Sequence, residues 1–332
     1  MGAGYTAPNP MVGAVLVYKD RIIGEGFHQQ YGGPHAEVNC INSVAEVDLP
    51  LIAKSVLYVS LEPCAHFGKT PPCTDLIIEK KIPTVVIACR DSYEQVNGRG
   101  IEKLQTAGIN VIAGILEKEA LELNKRFFTF HKYHRPYIIL KWAQSSDSMI
   151  ANADHSRVFI SNEYTNRLVH KWRSEEAAIV VGTNTALQDD PALTARLWPG
   201  NDPIRLVIDR ELKLPSTLQL LDGKAKTIVF NALKNGEQGM LSYCKLDQGV
   251  NMLPQLLGVL YQRQLMSVIV EGGAKLLQSF IDEGLWDEAR VICNGQLIIG
   301  DGIDTPVLTQ ANLLREETLL TDKIIYYFKS AN

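Results

Sequence analysis

Nothing in this sequence is apolar for long enough to cross a bilayer. Its hydrophobic runs, such as Ile138 to Leu140 and Val268 to Val270, have strand length, which excludes a transmembrane helix. Excess positive charge is lacking too: the 332 residues carry a formal net charge of -4, so the basic field that holds a polynucleotide is missing and no nucleic-acid partner is expected. Small anions stay open, because a phosphate monoester needs only a few Lys, Arg or backbone N–H groups. Met1 to Pro10 has neither the basic start nor the apolar stretch of a signal peptide, and the expectation is a cytoplasmic protein with no membrane partner. Cysteine is scarce, with six in the chain, which argues against a disulfide framework and for reduced thiols. Cys40, Cys89, Cys244 and Cys293 stand in apolar or helical contexts and are expected to pack as small hydrophobes. Internal repeats and low-complexity tracts are absent as well.

What is present is the balance of a globular protein, 46% hydrophobic and 21% charged, at a length that favours two domains. In the first half, Met11 to Tyr18, Ile22 to Phe27, Ser55 to Ser60, Thr84 to Cys89 and Asn110 to Ala113 read as strands. Ala36 to Ala45, Thr74 to Lys81 and Ile101 to Ala107 read as helices between them. The pattern breaks in the aromatic and basic stretch Phe127 to Pro136, which places a domain boundary there, with domains over 1–133 and 137–332. Strand signals resume at Tyr137 to Trp142, Ala178 to Val181, Ile204 to Ile208, Thr227 to Phe230, Ser267 to Glu271 and Ala289 to Ile292. Both halves are expected to be α/β layers.

The strongest chemical signal is His35-Ala36-Glu37 with Pro63-Cys64 and Cys73. One imidazole and two thiolates suit zinc better than magnesium or calcium. Three protein ligands leave a fourth position for water, whose pKa the metal lowers, and Glu37 two residues from His35 is placed to shuttle its proton as general acid/base. Zinc deaminases of amino-bearing rings have this arrangement. The competing reading, a closed structural zinc, needs a fourth ligand; His66 is the nearest, and that reading leaves Glu37 without a role.

The segments Pro8-Asn9-Pro10, Val12-Gly13-Ala14, Gly33-Pro34-His35-Ala36-Glu37 and Leu61-Glu62-Pro63-Cys64 through Pro72-Cys73 closely resemble the RibD family of bacterial riboflavin biosynthesis proteins. Eight residues separate Cys64 from Cys73, where generic cytidine and tRNA deaminases carry Cys-x-x-Cys. The insertion puts His66 and Lys69 at the mouth of the site, where a ribose phosphate needs a cation and donors. The resemblance implies a cytidine-deaminase-like three-layer domain in which Asn9, His28, Pro34, His66, Lys69 and Asp91 meet the substrate. For His28, a solvated strand-end histidine is the other reading. The family's Asp-Pro-Asn-Pro segment reads Asp91-Ser92-Tyr93-Glu94 here.

In the second half, Val268 to Val270 runs into Glu271-Gly272-Gly273 and a helical Ala274 to Ile281, a turn that suits a phosphate but also a plain strand-to-helix junction. With Lys141-Trp142-Ala143, Gly182-Thr183-Asn184-Thr185 and Asp189-Asp190-Pro191 through Arg196, it resembles the C-terminal reductase domain of RibD, of dihydrofolate-reductase-like fold. That resemblance implies NADPH contacts at Ala143, Phe159, Ser161, Thr185, Asp189, Gly273, Ala274, Lys275, Leu276, Leu277, Gln278 and Ser279. It implies substrate contacts at Arg157, Arg173, Leu193, Arg196 and Glu271, the arginine forks suiting a phosphate; for Arg173 a solvated helix surface is the other reading. The family's Ser-Leu-Asp-Gly turn reads Ser145-Ser146-Asp147-Ser148, so a glycine that allows a special backbone angle is missing.

The whole reading is a bifunctional enzyme, Zn2+-dependent in deamination and NADPH-dependent in reduction, acting on phosphorylated pyrimidines and assembling as a homo-oligomer. Arg210, just past a strand end, is a candidate for the 2′-phosphate of NADPH, a plain surface arginine being the other reading. One rival is a nucleic-acid deaminase with a C-terminal binding module, which the acidic balance disfavours. Another is a zinc-stabilised scaffold with a nucleotide sensor, which leaves Glu37 unexplained.

Overall fold

The computed structural model of the chain describes residues 2–67, 71–91, 97–154 and 156–330. They divide into two compact units, Met1–His134 and Arg135–Asn332. In the first, strands β1 (Gly13–Tyr18), β2 (Arg21–Phe27), β3 (Val56–Leu61), β4 (Thr84–Cys89) and β5 (Asn110–Ala113) form one sheet in the order β2-β1-β3-β4-β5. The β1/β2 hairpin and the β1/β3 pair are antiparallel; β3, β4 and β5 run parallel. Helices α1 (Ala36–Asn42), α2 (Cys73–Glu79) and α3 (Arg99–Thr106) supply the crossovers, and α4 (Glu117–Leu123) and α5 (Lys125–Tyr133) close the unit. The stretch read as a break in pattern, Phe127 onward, is therefore helical to Tyr133; Phe127 and Phe130 are buried on its inner face. Helix α1 lies unusually close to β2, because a side chain at Gly26 would stand 2.3 Å from the Cys40 nitrogen and one at Gly24 2.6 Å from the Cys40 carbonyl oxygen. Those two glycines set the depth at which His35 and Glu37 enter the fold.

The second unit contains β6 (Tyr137–Gln144), β7 (Met149–Asn152), α6 (Glu163–Glu175), β8 (Ala178–Gly182), α7 (Thr183–Asp189), β9 (Ile204–Ile208), β10 (Thr227–Asn231), β11 (Gly236–Gln238) and β12 (Leu241–Lys245). It continues with α8 (Met252–Gln262), β13 (Ser267–Val270), α9 (Ala274–Asp282), β14 (Glu288–Asn294), β15 (Gly302–Asp304), β16 (Ala311–Leu319) and β17 (Asp322–Lys329). Its main sheet has the order β11-β12-β10-β9-β8-β13-β6-β14-β17-β16, with β15 and β7 paired apart. From β12 to β14 every pairing is parallel. Parallel strands covered on both faces read as continuous apolar runs, and the period of two sorts their side chains into two cores. Ile138, Leu140, Val268, Val270, Val180, Leu206 and Phe230 face one, with α8 and α9. Ile139, Ile269, Ile179, Val207 and Val229 face the other, with Val169 and Trp172 of α6. Each fully buried aliphatic contributes roughly 1.5–3 kcal/mol, so the centre of this sheet is the most stable part of the unit. Both units are α/β, as expected. Among the described residues no helix is long and apolar enough to cross a membrane.

Candidate functional sites

The C-terminal end of β3 and the starts of α1 and α2 bring the predicted metal ligands together. His35 is the N-cap of α1, Cys64 follows β3, and Cys73 opens α2. One ligand atom from each lies within 4.8 Å of the others; His35 Nδ1 stands 3.6 Å from Cys64 Sγ and 3.3 Å from Cys73 Sγ. The loop between the cysteines is closed by Thr74, whose N–H and hydroxyl both donate to the Cys64 carbonyl at 3.2 and 3.1 Å. The Cys73 N–H points at Cys64 Sγ at 3.3 Å. Hydrogen bonds from Cys73 and then His35 hold the Cys64 thiol well below its usual range against its burial. A hydrogen bond to Cys64, then burial, in turn keeps the Cys73 proton on. Two soft sulfurs and an imidazole nitrogen at this spacing fit zinc. The other four cysteines are separate: Cys40 and Cys89 are core residues whose thiols burial pushes up to about 12, and Cys244 and Cys293 are half-buried.

Glu37, 3% exposed in the first turn of α1, adjoins the ligands; burial first, then charge at Cys64, pushes its carboxyl up from the usual range. His28 is buried, not solvated: Nδ1 lies 3.0 Å from the Pro34 carbonyl, Nε2 lies 3.1 Å from the Asn9 amide nitrogen, and the ring stands edge-on to His35 at 5.5 Å. Pro34 is exposed beside them. His66 is half-buried and its Nδ1 is buried with no hydrogen-bond partner among the described residues. Asp91 is 7% exposed after β4. Lys69, Ser92, Tyr93 and Glu94 lie outside the described residues.

Two residues without a role from sequence organise this site. Glu62 is 4% exposed and accepts four backbone N–H groups, Gly100 (2.9 Å) and Ile101 (3.2 Å) at Oε1, Gly98 (3.0 Å) and Asp91 (3.3 Å) at Oε2. It thus caps α3 from the strand that leads to Cys64, and Gly100 is required because a Cβ there would meet the Pro63 carbonyl at 2.1 Å. Asn124, 2% exposed, pairs its amide with both backbone groups of Met11 at 2.8 Å and fixes the turn that carries Asn9.

In the second unit the predicted residues gather where the parallel strands end, the edge at which open α/β sheets bind ligands. Lys141 and Ala143 end β6, Thr185 opens α7, and Glu271 with Gly273 joins β13 to α9. Thr185 Oγ1 accepts the Gly273 N–H at 2.8 Å, tying two of the candidate segments together. Arg173 is not a solvated helix residue: its fork grips Glu271 at 2.9 and 2.7 Å, and Lys141 joins the same carboxylate at 3.5 Å. Burial raises the Glu271 carboxyl, but the charges of Arg173 and Lys141 outweigh it and bring the pKa down to about 2. Both Arg173 and Glu271, read from the resemblance as ligand contacts, already satisfy each other. Lys141, buried in this cluster, had no role in the sequence reading.

Several contacts narrow. Leu276 and Leu277 of α9 face the core, Gln278 bonds Asp282 and the Val307 N–H, and Ser279 bonds the Lys275 carbonyl. That leaves the backbone N–H groups of Ala274 and Lys275 at the helix start, the Gly273 N–H being taken by Thr185. Leu193 is 2% exposed with its side chain in the core, so it offers only backbone. Arg157 is exposed and stacks over Phe159 at 4.9 Å, its charge acting on Asp189; Arg196 is exposed, and Ser161 is half-buried. A small concavity beyond β9 and β10 is lined by Arg210, Asn231, Asp247 and Met252. Ser148, where the family has glycine, sits at φ 63, so the special angle exists here and a serine occupies it.

Residues 136–329 match the family profile of the RibD C-terminal domain, and residues 1–89 that of the cytidine and deoxycytidylate deaminase zinc-binding region. The chain belongs to the RibD family. Riboflavin biosynthesis protein RibD of Aquifex aeolicus (strain VF5) is 41% identical over 310 residues, covering 90% of this chain and 84% of that protein. The RibD of Bacillus amyloliquefaciens is 38% identical over 323 residues, covering 92% and 86%. A crystal structure of a diaminohydroxyphosphoribosylaminopyrimidine deaminase/5-amino-6-(5-phosphoribosylamino)uracil reductase from Thermotoga maritima superposes with a TM-score of 0.90 at 36% identity, over 99% of this chain and 94% of that one. RibD membership makes the fold a cytidine-deaminase-like unit followed by a RibD reductase unit.

Proposed function

We propose that the chain deaminates 2,5-diamino-6-(5-phosphoribosylamino)pyrimidin-4(3H)-one with its N-terminal unit and reduces the ribosyl chain of the product with its C-terminal unit, giving 5-amino-6-(5-phosphoribitylamino)uracil. The observation that carries this is the meeting of His35, Cys64 and Cys73 within 4.8 Å beside a buried, unligated Glu37, in a chain that continues as a RibD reductase domain. The substrates are small phosphorylated pyrimidines and not nucleic acids.

His35, Cys64 and Cys73 would hold the zinc, which when bound supplies Lewis acidity to a water in the open position. Glu37, with its raised carboxyl pKa, takes a proton at its carboxylate and returns it to the departing amine. Asn9 and His66 offer polar groups to the ring and sugar, and Lys69 a cation to the phosphate. In the C-terminal unit, Ala274 and Lys275 present backbone N–H groups at a helix start to a cofactor phosphate, and Arg210 stands by the concavity beyond β9 for a 2′-phosphate. NADPH, when bound, supplies the hydride. Arg196 and Arg157 are the exposed guanidiniums for the substrate phosphate, while the Lys141–Glu271–Arg173 cluster fixes the floor beneath the sugar.

A coupled assay with the diaminopyrimidinone ribosylamine phosphate, following ammonia and NADPH in one tube, tests both halves. Glu37→Ala should keep its zinc, lose ammonia release, and still oxidise NADPH when given the deaminated compound. Unchanged ammonia release overturns the role of Glu37, and NADPH left unoxidised by the wild type overturns the reductase half. Cytoplasmic residence and self-association belong to the same reading; a solution mass of 36.9 kDa by light scattering would rule out the latter.

A further inference from the structure

Ser161, in the connection between β7 and α6, is half-buried and makes no hydrogen bond with another described residue through its backbone or its hydroxyl. The peptide groups on either side of it are both held. The Ile160 carbonyl, in the peptide before Ser161, accepts from the Asn294 side-chain amide at 2.6 Å. The Asn162 N–H, in the peptide after it, donates to the Asp322 carboxylate at 2.8 Å. These partners lie 134 and 160 residues along the chain. They also face each other, since Asn294 is the register partner of Asp322 in the antiparallel pair of β14 and β17. One supplies a donor and the other an acceptor, as a carbonyl and an N–H require.

Each partner is fixed in turn. Asn294 Oδ1 accepts the N–H groups of Gln296 and Leu297 at 3.0 and 3.1 Å, so its NH2 is the end that faces Ile160. Asp322 is fully buried, and its other oxygen accepts the Thr321 hydroxyl at 3.1 Å. Ile160 is buried, and the Asn162 side chain caps α6 at the Tyr164 and Thr165 N–H groups while its NH2 donates to the Leu319 carbonyl at 2.8 Å. Cys293 pairs with Gln144, the last residue of β6, so Asn294 stands just beyond the strand end that carries Ala143. That is the edge at which open α/β sheets bind ligands. A residue with unused hydrogen-bonding groups, pinned through both neighbouring peptides at that edge, has lost its freedom before a ligand arrives.

We propose that Asn294 and Asp322 are positioning residues that clamp Ser161 so that its hydroxyl hydrogen-bonds the dinucleotide cofactor. The inference rests on the reductase reading of the C-terminal unit. The family resemblance names Ser161 as a cofactor contact; neither Asn294 nor Asp322 had a role in the sequence reading, and together they are what holds it.

The test is the Kd of NADPH, read from the cofactor's own fluorescence without substrate, for the whole chain carrying Ser161→Ala, Asn294→Ala, Asp322→Ala or Asp322→Asn. Loss of one ligand hydrogen bond should raise Kd about 5- to 10-fold in Ser161→Ala, and the KM for NADPH should rise by the same factor while that for the pyrimidine phosphate holds. Asn294→Ala and Asp322→Ala should each raise Kd about 2- to 10-fold, and neither should add to Ser161→Ala when combined with it. Asp322→Asn is the rescue: its oxygen can still accept the Asn162 N–H while its NH2 turns to the Thr321 hydroxyl, so its Kd should stay within about twofold of wild type. Losses from clamp and serine that multiply overturn the proposal. Amide exchange in the wild type decides the matter even where the alanine variants fail to fold: the Asn162 N–H is expected to be protected before NADPH is added, and an unprotected one overturns the clamp. A wild type that binds no NADPH sinks the reductase reading as well, whereas wild-type binding with an unchanged Kd in Ser161→Ala sinks this proposal alone.

Discussion

Replacing Glu62 by glutamine changes one oxygen to an NH2 group and should destabilise the N-terminal unit out of proportion to the size of the change. The carboxylate accepts from two backbone N–H groups at each oxygen, so either orientation of the new amide leaves two donors facing a donor. A buried donor without its acceptor costs about 1–3 kcal/mol. Within each pair one bond is long, 3.2 or 3.3 Å, and loses less. The expected loss is therefore about 2–4 kcal/mol, or a fall in urea midpoint of roughly 1–2 M at an ordinary denaturant slope. All four tryptophans lie in 135–332, so their fluorescence follows only the C-terminal unit and should not respond. Far-UV circular dichroism and amide exchange at Asp91, Gly98, Gly100 and Ile101 report the N-terminal one. Glu62→Asp, which keeps the charge but shortens the reach, should fall between. A glutamine variant within about 0.5 kcal/mol of wild type, with those four amides still protected, would refute the idea that this carboxylate holds the site together.

Ser148→Gly should raise the thermal midpoint, because a non-glycine residue at φ 63 costs about 1–2 kcal/mol while the added chain entropy of glycine returns about 0.5–1; a lower midpoint would contradict this. Arg173→Ala should cost about 3–5 kcal/mol at pH 7 by leaving Glu271 buried without its fork. Because the folded Glu271 pKa is depressed to about 2, the wild-type contribution is full above pH ~4.5 and is lost as pH falls through 2. Urea titrations read by tryptophan fluorescence at pH 7, and from pH 4.5 down to about 2, check both statements. His170 is buried, and burial first, then the charges of Arg173 and Arg196, lowers its pKa to about 4. The unfolded chain takes up that proton below pH ~6.5 and the folded one does not, so stability of the C-terminal unit should fall from pH 6.5 to 4, and His170→Gln should flatten that slope.

The strands of both units were legible because their side chains obey a short period against a buried face; Ile138 and Ile139 separate into opposite cores as alternation requires. The hairpin of β16 and β17 was not, since β16 is exposed along most of its length and polar residues interrupt any apolar period. Helix α5 was misread as a break because its aromatic and basic residues suggested an irregular connection, while its inner face buries only Phe127 and Phe130. At the sites, the meeting of His35, Cys64 and Cys73 was legible from residue type and spacing. The role of Glu62 was not, because its partners lie 29 to 39 residues on and are backbone groups, which carry no sequence signal. Asn124 acts across 113 residues, and Arg173 and Lys141 reach Glu271 across 98 and 130. Such pairings exist only once the fold has brought the segments together.

The loop from Asp189 to Arg196 shows how the C-terminal unit fixes a strained backbone as far as an exposed guanidinium. Asp190 at φ 37 and Leu193 at φ 52 both occupy the left-handed region, a cost of about 1–2 kcal/mol each. They are held there from outside the loop. Asp190 accepts the Gln219 N–H at 2.7 Å and its carbonyl accepts from the Gln219 amide at 2.6 Å; Leu193 is sunk into the core. Arg173 donates to the Thr194 carbonyl at 3.3 Å and Asp202 accepts the Ala195 N–H at 2.7 Å. Among the described residues, the Arg196 side chain makes one hydrogen bond, a 3.4 Å contact with Thr194 Oγ1. The backbone is therefore over-determined up to the residue before the exposed guanidinium. Strain in a loop persists when its neighbours outweigh it, and here the neighbours include Arg173, whose fork is itself held by Glu271, so that buried ion pair also fixes the loop.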